Sequence, residues 1–521
     1  MPALIGTTTL HAPDAIVLGA YLALLIATGL WFSRRAQTST NDYFLAGRSM
    51  PVWAVSLSVL ATSLSAATFV GAPQQAYAGD LTYLSASIGG VLAVLIVALL
   101  FIPAFYRSRV GTIYELVGRR LGEPARRATS AAFMGGRLLA SGARLYIAAL
   151  AGAMVLFGDT QPGHVLLAIA VMTLVGIAYT LVGGIGSVIW TDVIQAFVFL
   201  VAVLAAIALL LHSIPLHADQ IIDALANTQT DSGRSKLTLL RLDADPRAPY
   251  TLWTALIGFT LLGIASYGVD QDLTQRMLTC RSAVRGGASA ILAILAGIPV
   301  VALFMLVGLL LHVFYNRPDL MGLLAVGATP DDSRTVFLRF IMDRMPPGLT
   351  GLMFAGVFAA GLSSLNSAIN AMASTLVTDF YRPSRPDLSE RHYLKIARLS
   401  VVAWGVVLGL FAGLCLFWQR AGGQSLIDFA LGVMGFAYAG LLAVFFTALL
   451  SRRGSSRSAI AAIVVGAVAV GIQQPALWNL IDQSGWSGRV GPFLSSPAYP
   501  WKLTFATALA TGVCLLGRRR T

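Results

Sequence analysis

Charge is what this sequence has least of. Only 11% of its 521 residues are Asp, Glu, Lys or Arg, where a soluble domain carries about a quarter. With 57% hydrophobic residues, that shortage excludes a string of soluble domains and leaves a chain that crosses a membrane many times. Cysteine is scarce too. Cys280, Cys415 and Cys514 lie far apart, in or beside apolar runs, so they read as buried small hydrophobes and exclude a disulfide framework. Enzyme signatures are missing. "LVGGIGS" offers G-x-G without a third glycine, and neither G-x-x-x-x-G-K-[ST] nor H-E-x-x-H occurs. The six histidines do not cluster at metal-ligand spacing, so the sequence predicts no enzyme.

What is present is a series of long apolar runs. Thirteen spans are predicted, at roughly 15–33, 52–73, 81–105, 128–157, 165–182, 189–213, 251–275, 284–315, 349–379, 394–418, 424–451, 457–474 and 501–517. The net charge of +13 could suggest nucleic acid, but its distribution points to topology. With the N-terminus outside, inner segments and their flanks hold 23 Lys and Arg against 11 outside. "YRSRVGTIYELVGRRLGEPARR" and "GRRRT" contrast with "PQQAYAGD" and "FGDTQPGH". That is the positive-inside asymmetry. No nucleic-acid partner is expected. Residues 1–14 lack Lys and Arg, and Arg34 and Arg35 follow the first span, so it reads as a retained span, not a cleaved signal. The longest outer loops, about 214–250 and 316–348, contain amphipathic pieces such as "SRTVFLRFIMDRM", expected as short helices over the outer face.

Two spans carry hydroxyls at mid-depth. In "SVLATSLSAATFVGAP" the centre falls near Thr62 and Ser63, where small and β-branched residues make a weak helix. An unwound turn there would free carbonyls at the membrane centre, which suit a hard cation such as sodium. In "GLMFAGVFAAGLSSLNSAINAMAS", Ala360, Ser363, Ser364 and Ser367 follow i, i+3, i+4, i+7 and share a face, flanked by Asn366 and Asn370. Such stripes are also common glue between membrane helices, each bond worth about 0.6–2 kcal/mol.

Ionisable residues inside spans are fewer. Arg144 lies near the middle of its span, where an unpaired arginine costs at least about 2.5–3.5 kcal/mol and calls for an anion or a wet cavity. Arg137 is closer to the cytoplasm, where it could snorkel. Asp192 starts its span, and Asp270 and Asp272 sit toward the inner end of theirs, Asp272 with Arg276 at i+4. The plain alternative pairs these acids with the arginines.

Four segments, in order, resemble the sodium/solute symporter family: "NDYFLAGRSMPVWAVSLSVLATSLSAATFVGAP", "YTLVGGIGSVIWTDVIQAFVF", "YGVDQDLTQRML" and "AAGLSSLNSAINAMASTLVTDFYRP". The resemblance covers about residues 15–451. It implies an all-α polytopic membrane protein of the leucine-transporter (LeuT) type. Residues 1–50 would form an outer N-terminus, a leader helix and an inner loop. Two inverted five-helix repeats, 51–213 and 251–451, would be separated by the outer loop 214–250. Residues 452–521 would add two trailing helices and a basic inner tail. The opening hydroxyl stretch would be a broken first core helix. The carbonyls of Ala61, Leu64 and Ala360 and the hydroxyls of Ser363 and Ser364 would bind sodium. A further sodium site would use Asp192, Ser363 and Ser367, with Asn366 where some members have serine.

For substrate, Thr68 stands where the sugar branch has glutamine, and Ser87 near the place of its acidic residue, which counts against a simple hexose. Ser63, Ser65, Thr68 and Arg144 look like the sialic-acid branch, where a helix-3 arginine pairs the substrate carboxylate; Ser87 and Asp270 complete the expected set. The resemblance thus implies a sodium-coupled symporter of the bacterial cytoplasmic membrane importing a carboxylate-bearing polyol or organic acid, with no obligate protein partner. The alternatives are a symporter for a neutral sugar or amino acid, a proton-coupled carrier using Asp192 or Asp270, and, from a different class, a non-transporting solute sensor.

Overall fold

In a bilayer an apolar run satisfies its backbone by closing into helix, and helix is what the chain forms. The structure, a computed structural model, describes residues 11–33, 39–321, 333–422, 426–474, 478 and 494–518. The predicted basic tail beyond 518 lies outside them. Among the described residues there is no strand, only an isolated bridge between Gln229 and Ser235. The first half runs α1 (Ala12–Ser33), α2 (Thr40–Leu45), α3 (Val52–Ser63), α4 (Ala66–Ala78), α5 (Thr82–Arg107), α6 (Tyr114–Leu121), α7 (Glu123–Phe157) and α8 (Pro162–Ser213). After α9 (Ala218–Asn227) come α10 (Leu252–Val269), α11 (Gln271–Leu278), α12 (Ala283–Asn316), α13 (Val336–Arg344), α14 (Leu349–Ser384), α15 (Glu390–Gly422), α16 (Leu426–Leu450), α17 (Ser456–Ile472) and α18 (Tyr499–Leu515).

Every predicted span falls on helix, and eight of the described helices are long and apolar enough to cross a membrane individually. The amphipathic loop pieces are helices too, as α13 illustrates. Two connections differ from expectation. A loop at 183–188 was predicted, yet α8 keeps its helical bonding and turns at one residue, Gly184 (φ 58°, ψ −170°). A Cβ there would stand 2.7 Å from the Tyr43 carbonyl, so only glycine fits both the dihedrals and the space. Conversely, the predicted span 251–275 is not continuous. It breaks at Asp270 (φ −98°, ψ 118°), whose side chain caps α11 by accepting the Asp272 amide at 2.9 Å.

α14 is the central post. Its most apolar window is 89% buried, against 39% for α12, and it packs on both arms of α8 and on α7. Its start is finished by a distant residue. Asp14 in α1 accepts the Gly348 and Gly351 amides, each at 2.7 Å. A Cβ on Gly351 would lie 2.6 Å from the Asp14 backbone, so the approach requires glycine. The cap satisfies orphan amides and sets a carboxylate at the positive end of the helix dipole. α3 and α4 lean on α12, while α16 holds α17 and α18.

Candidate functional site

α3 ends at Ser63 and α4 starts at Ala66. Leu64 (φ −83°, ψ 95°) and Ser65 (φ −96°, ψ 177°) between them are extended. The Leu64 amide closes the last bond of α3, onto the Leu60 carbonyl at 2.9 Å, and the Thr68 amide bonds the Ser65 carbonyl at 2.8 Å. Among the described residues no backbone amide outside the helices reaches the Ala61 or Leu64 carbonyl. Ala61, Leu64 and Ala360 line one cavity of about 60 Å³ with apolar neighbours such as Leu57, Phe199 and Val300, so the break faces α14, while Ser363 and Ser364 are not part of that lining. Ser363 touches the same region, its Oγ 3.5 Å from Thr62 Oγ1. The Ser364 hydroxyl is buried and has no hydrogen-bond partner among the described residues. Carbonyls without an amide partner and an unpartnered hydroxyl are neutral oxygen donors of the kind a hard cation such as sodium accepts.

Of the further sodium set, Asp192 and Ser363 are brought together, while Asn366 and Ser367 are bonded elsewhere. Ser363 Oγ donates to Asp192 Oδ1 at 2.7 Å. Asn366 instead turns to α8, where Oδ1 accepts from Thr180 Oγ1 at 3.0 Å. Ser367 Oγ bonds Asp272 Oδ2 at 3.2 Å and the Ser364 carbonyl at 3.1 Å. One helical turn separates Ser363 from Asn366 and Ser367 along α14, and these three side chains reach Asp192, Thr180 and Asp272 in turn.

The acids and arginines form a single buried ladder. Asp192 Oδ2 accepts from Ser58 Oγ (2.5 Å) and Arg276 Nη2 (3.1 Å). Arg276 Nη1 bonds Asp272 Oδ1 and the Asp272 carbonyl, each at 2.8 Å, and its Nε bonds Ser58 Oγ at 2.9 Å. Asp272 Oδ2 takes Arg137 Nη2, and Arg137 Nη1 reaches Asp270 Oδ2 at 2.9 Å. Tyr438 Oη donates to the same Asp270 oxygen at 2.6 Å. Arg137 therefore does not snorkel: 3% exposed, it stays inside because two carboxylates wait at the α10–α11 break. Asp270 is correspondingly no substrate ligand in this geometry, since Arg137, Tyr438 and the Asp272 amide occupy it.

Arg144 is different. Its guanidinium has no carboxylate among the described residues; Nη2 meets only Met434 Sδ at 3.7 Å. It opens on a cavity of about 160 Å³ shared with Ser63, Arg137, Ser266, Tyr267 and Tyr438. Of the expected substrate residues, Ser63 and Arg144 line this cavity; Ser65, Thr68, Ser87 and Asp270 do not. Ala86 and Gly90, on either side of Ser87, line it in its place. Sequence reasoning missed Ser266 and Tyr267, which sit in a π turn of α10 (Ala265–Val269), and Tyr438 and Met434 of α16. A π turn re-aims side chains at functional sites, but it leaves no mark in hydropathy.

Comparison with known proteins gives four findings. A model of the sodium:solute symporter family matches residues 43–466. The sodium/sialic acid symporter SiaT of Proteus mirabilis is 31% identical over 477 residues, 87% of this chain and 88% of that one. The human sodium/iodide cotransporter is 31% identical over 407 residues, 76% of this chain and 59% of that one. Among solved structures, a Na+-coupled sialic acid symporter in a substrate-bound outward-open state superposes with a TM-score of 0.78. The identity is 24%, covering 98% of this chain and 100% of the other. That likeness shows the fold, a transporter architecture of the leucine-transporter type.

Proposed function

This chain belongs to the sodium:solute symporter family, and from that premise we propose that it imports a carboxylate-bearing solute of the sialic-acid class, coupled to sodium. Sodium-coupled symport is the activity of its matched relatives, which are transporters and not enzymes. The observation that carries the substrate reading is Arg144, a cation beside a cavity at mid-membrane with no carboxylate of its own. Its N–H donors meet no oxygen acceptor among the described residues, and a substrate carboxylate supplies two. Relatives are described as carrying sialic acid, iodide or monocarboxylates, all anions.

In this reading sodium binds at the α3–α4 break through the Ala61, Leu64 and Ala360 carbonyls and the Ser363 and Ser364 hydroxyls. Arg144 holds the carboxylate, and Ser63 takes a substrate hydroxyl. Sodium that favours the outward-open state raises solute capture there, and its loss to a low-sodium interior releases both. The N-terminus lies outside and the C-terminus in the cytoplasm of the bacterial inner membrane, with 51–213 and 251–451 as the two inverted repeats. The solute, sodium and the bilayer are its only partners, without nucleic acid or an obligate protein.

A second reading, a small monovalent anion as solute, is favoured by the iodide and monocarboxylate relatives. Uptake into proteoliposomes separates the two. Labelled sialic acid should accumulate under an inward sodium gradient, and not under a proton gradient alone. Accumulation of lactate or iodide with none of sialic acid would establish the second reading instead.

Ser364→Ala tests the cation site. Removing an unpartnered buried hydroxyl from a helix interface should be neutral or mildly stabilising. Removing a ligand should raise the sodium concentration for half-maximal uptake by about tenfold, or ~1.4 kcal/mol. An unchanged sodium curve in Ser364→Ala, with unchanged solute affinity, would remove this serine from the site.

A further inference from the structure

The ladder runs from one site to the other without a gap. At one end Ser363, assigned above to sodium, donates to Asp192. At the other end Arg137 lines the solute cavity. Arg137 commits both terminal nitrogens to Asp270 and Asp272, while its Nε, also buried, has no partner among the described residues. Between them stand only Arg276 and Asp272, each bonded on both sides.

The charge count gives the ladder a direction. Asp192, Asp272 and Asp270 carry three negative charges, and Arg276 and Arg137 two positive ones. Arg144 beside them brings the cluster to neutral. An anion entering the cavity alone leaves one negative charge uncompensated inside the membrane, and a cation entering alone leaves one positive. Each such charge is expensive away from water. Anion and cation entering together restore neutrality.

The bonds offer a route by which the two ends would communicate. A cation on the Ser363 hydroxyl sits one hydrogen bond from Asp192 and competes with Arg276 for that carboxylate. Arg276 then leans on Asp272, its other partner. Asp272, drawn toward Arg276, loosens its hold on Arg137, whose guanidinium turns its free Nε–H toward the cavity.

We propose that Arg276 and Asp272 are positioning residues that couple the two sites, so that sodium near Asp192 raises anion affinity by releasing Arg137 to the solute. This rests on the sodium-coupled anion reading above. The test is equilibrium binding of labelled sialic acid to purified protein in nanodiscs, at limiting and at saturating sodium, with sodium binding measured in parallel. In the native protein saturating sodium should tighten solute binding by about 5–150-fold, and solute should tighten sodium binding by the same factor. Asp272→Asn should bring both factors to within about twofold of unity. Ser58→Ala, which loosens only the Asp192–Arg276 joint, should give an intermediate factor and serves if Asp272→Asn does not fold. A merely structural role predicts weaker binding with the native factor preserved. That factor surviving in Ser58→Ala, and in Asp272→Asn where it folds, overturns the coupling role. If the native protein binds no sialic acid even at saturating sodium, the functional reading itself fails, which is a separate result.

Discussion

Arg144→Ala should abolish solute binding while the protein still folds and binds sodium. A carboxylate held by a guanidinium makes two charge-assisted hydrogen bonds, each worth about 1.5–3 kcal/mol. Losing both costs at least about 3 kcal/mol, or some hundredfold in affinity. Arg144→Lys keeps the charge but loses the planar fork, so an intermediate loss is expected. The competing account is a fixed ion pair with Asp192 or Asp270, which would turn Arg144→Ala into a folding defect. Both acids are already engaged, Asp192 by Arg276 and Asp270 by Arg137 and Tyr438, so folding should not need Arg144. Titration calorimetry with sialic acid and separately with sodium, beside a thermal melt in detergent, distinguishes the two. A folded Arg144→Ala protein with native solute affinity would refute the carboxylate role.

Arg276→Leu should do the opposite: the protein fails to fold. Arg276 is the largest fully buried side chain of the described residues, and it separates the Asp192 and Asp272 carboxylates. Taking away one partner of a buried pair typically costs about 3–5 kcal/mol, because the other charge is stranded. Here two charges are stranded at once. Expression followed by size-exclusion chromatography should show aggregate in place of a monodisperse peak. Arg276→Lys, which keeps the charge and loses the forked geometry, should restore part of the folded peak. A monodisperse, native-melting Arg276→Leu protein would mean that these aspartates are protonated or otherwise matched.

How much of this was legible in the sequence depended on whether the signal was local. The break after Ser63 announced itself as small and β-branched residues at the middle of an apolar run. The α14 stripe announced itself by spacing, and Ala360 does share a cavity with Ala61 and Leu64. The break at Asp270 carried a local signal too, an N-cap aspartate two residues before a second one, but it was absorbed into a long apolar window. Arg137 was misread for a different reason. Its partners lie more than 130 residues away, and a position near the membrane edge made snorkelling the economical guess. Tyr267 and Tyr438 could not have been picked out at all. In sequence they are two aromatics among apolar neighbours, and only the packing of α10 on α16 makes them a cavity wall. The same limit applies to Asn366 and Ser367, whose spacing fits a cage but which bond to side chains of α8 and α11.

The Asp14 cap on α14 also says something about time. The carboxylate belongs to α1, and the amides it serves lie 334 and 337 residues later. At ordinary elongation rates of about 5–20 residues per second, that gap lasts on the order of 20–70 s. Throughout it, α1 has no α14 to dock against, and when α14 is made its first turn is unfinished until α1 arrives. The start of α14 is therefore not completed by its sequence neighbours alone. Its completion waits on a helix that has stood in the bilayer for that whole interval, so the docking of α1 on α14 is a late event in assembly.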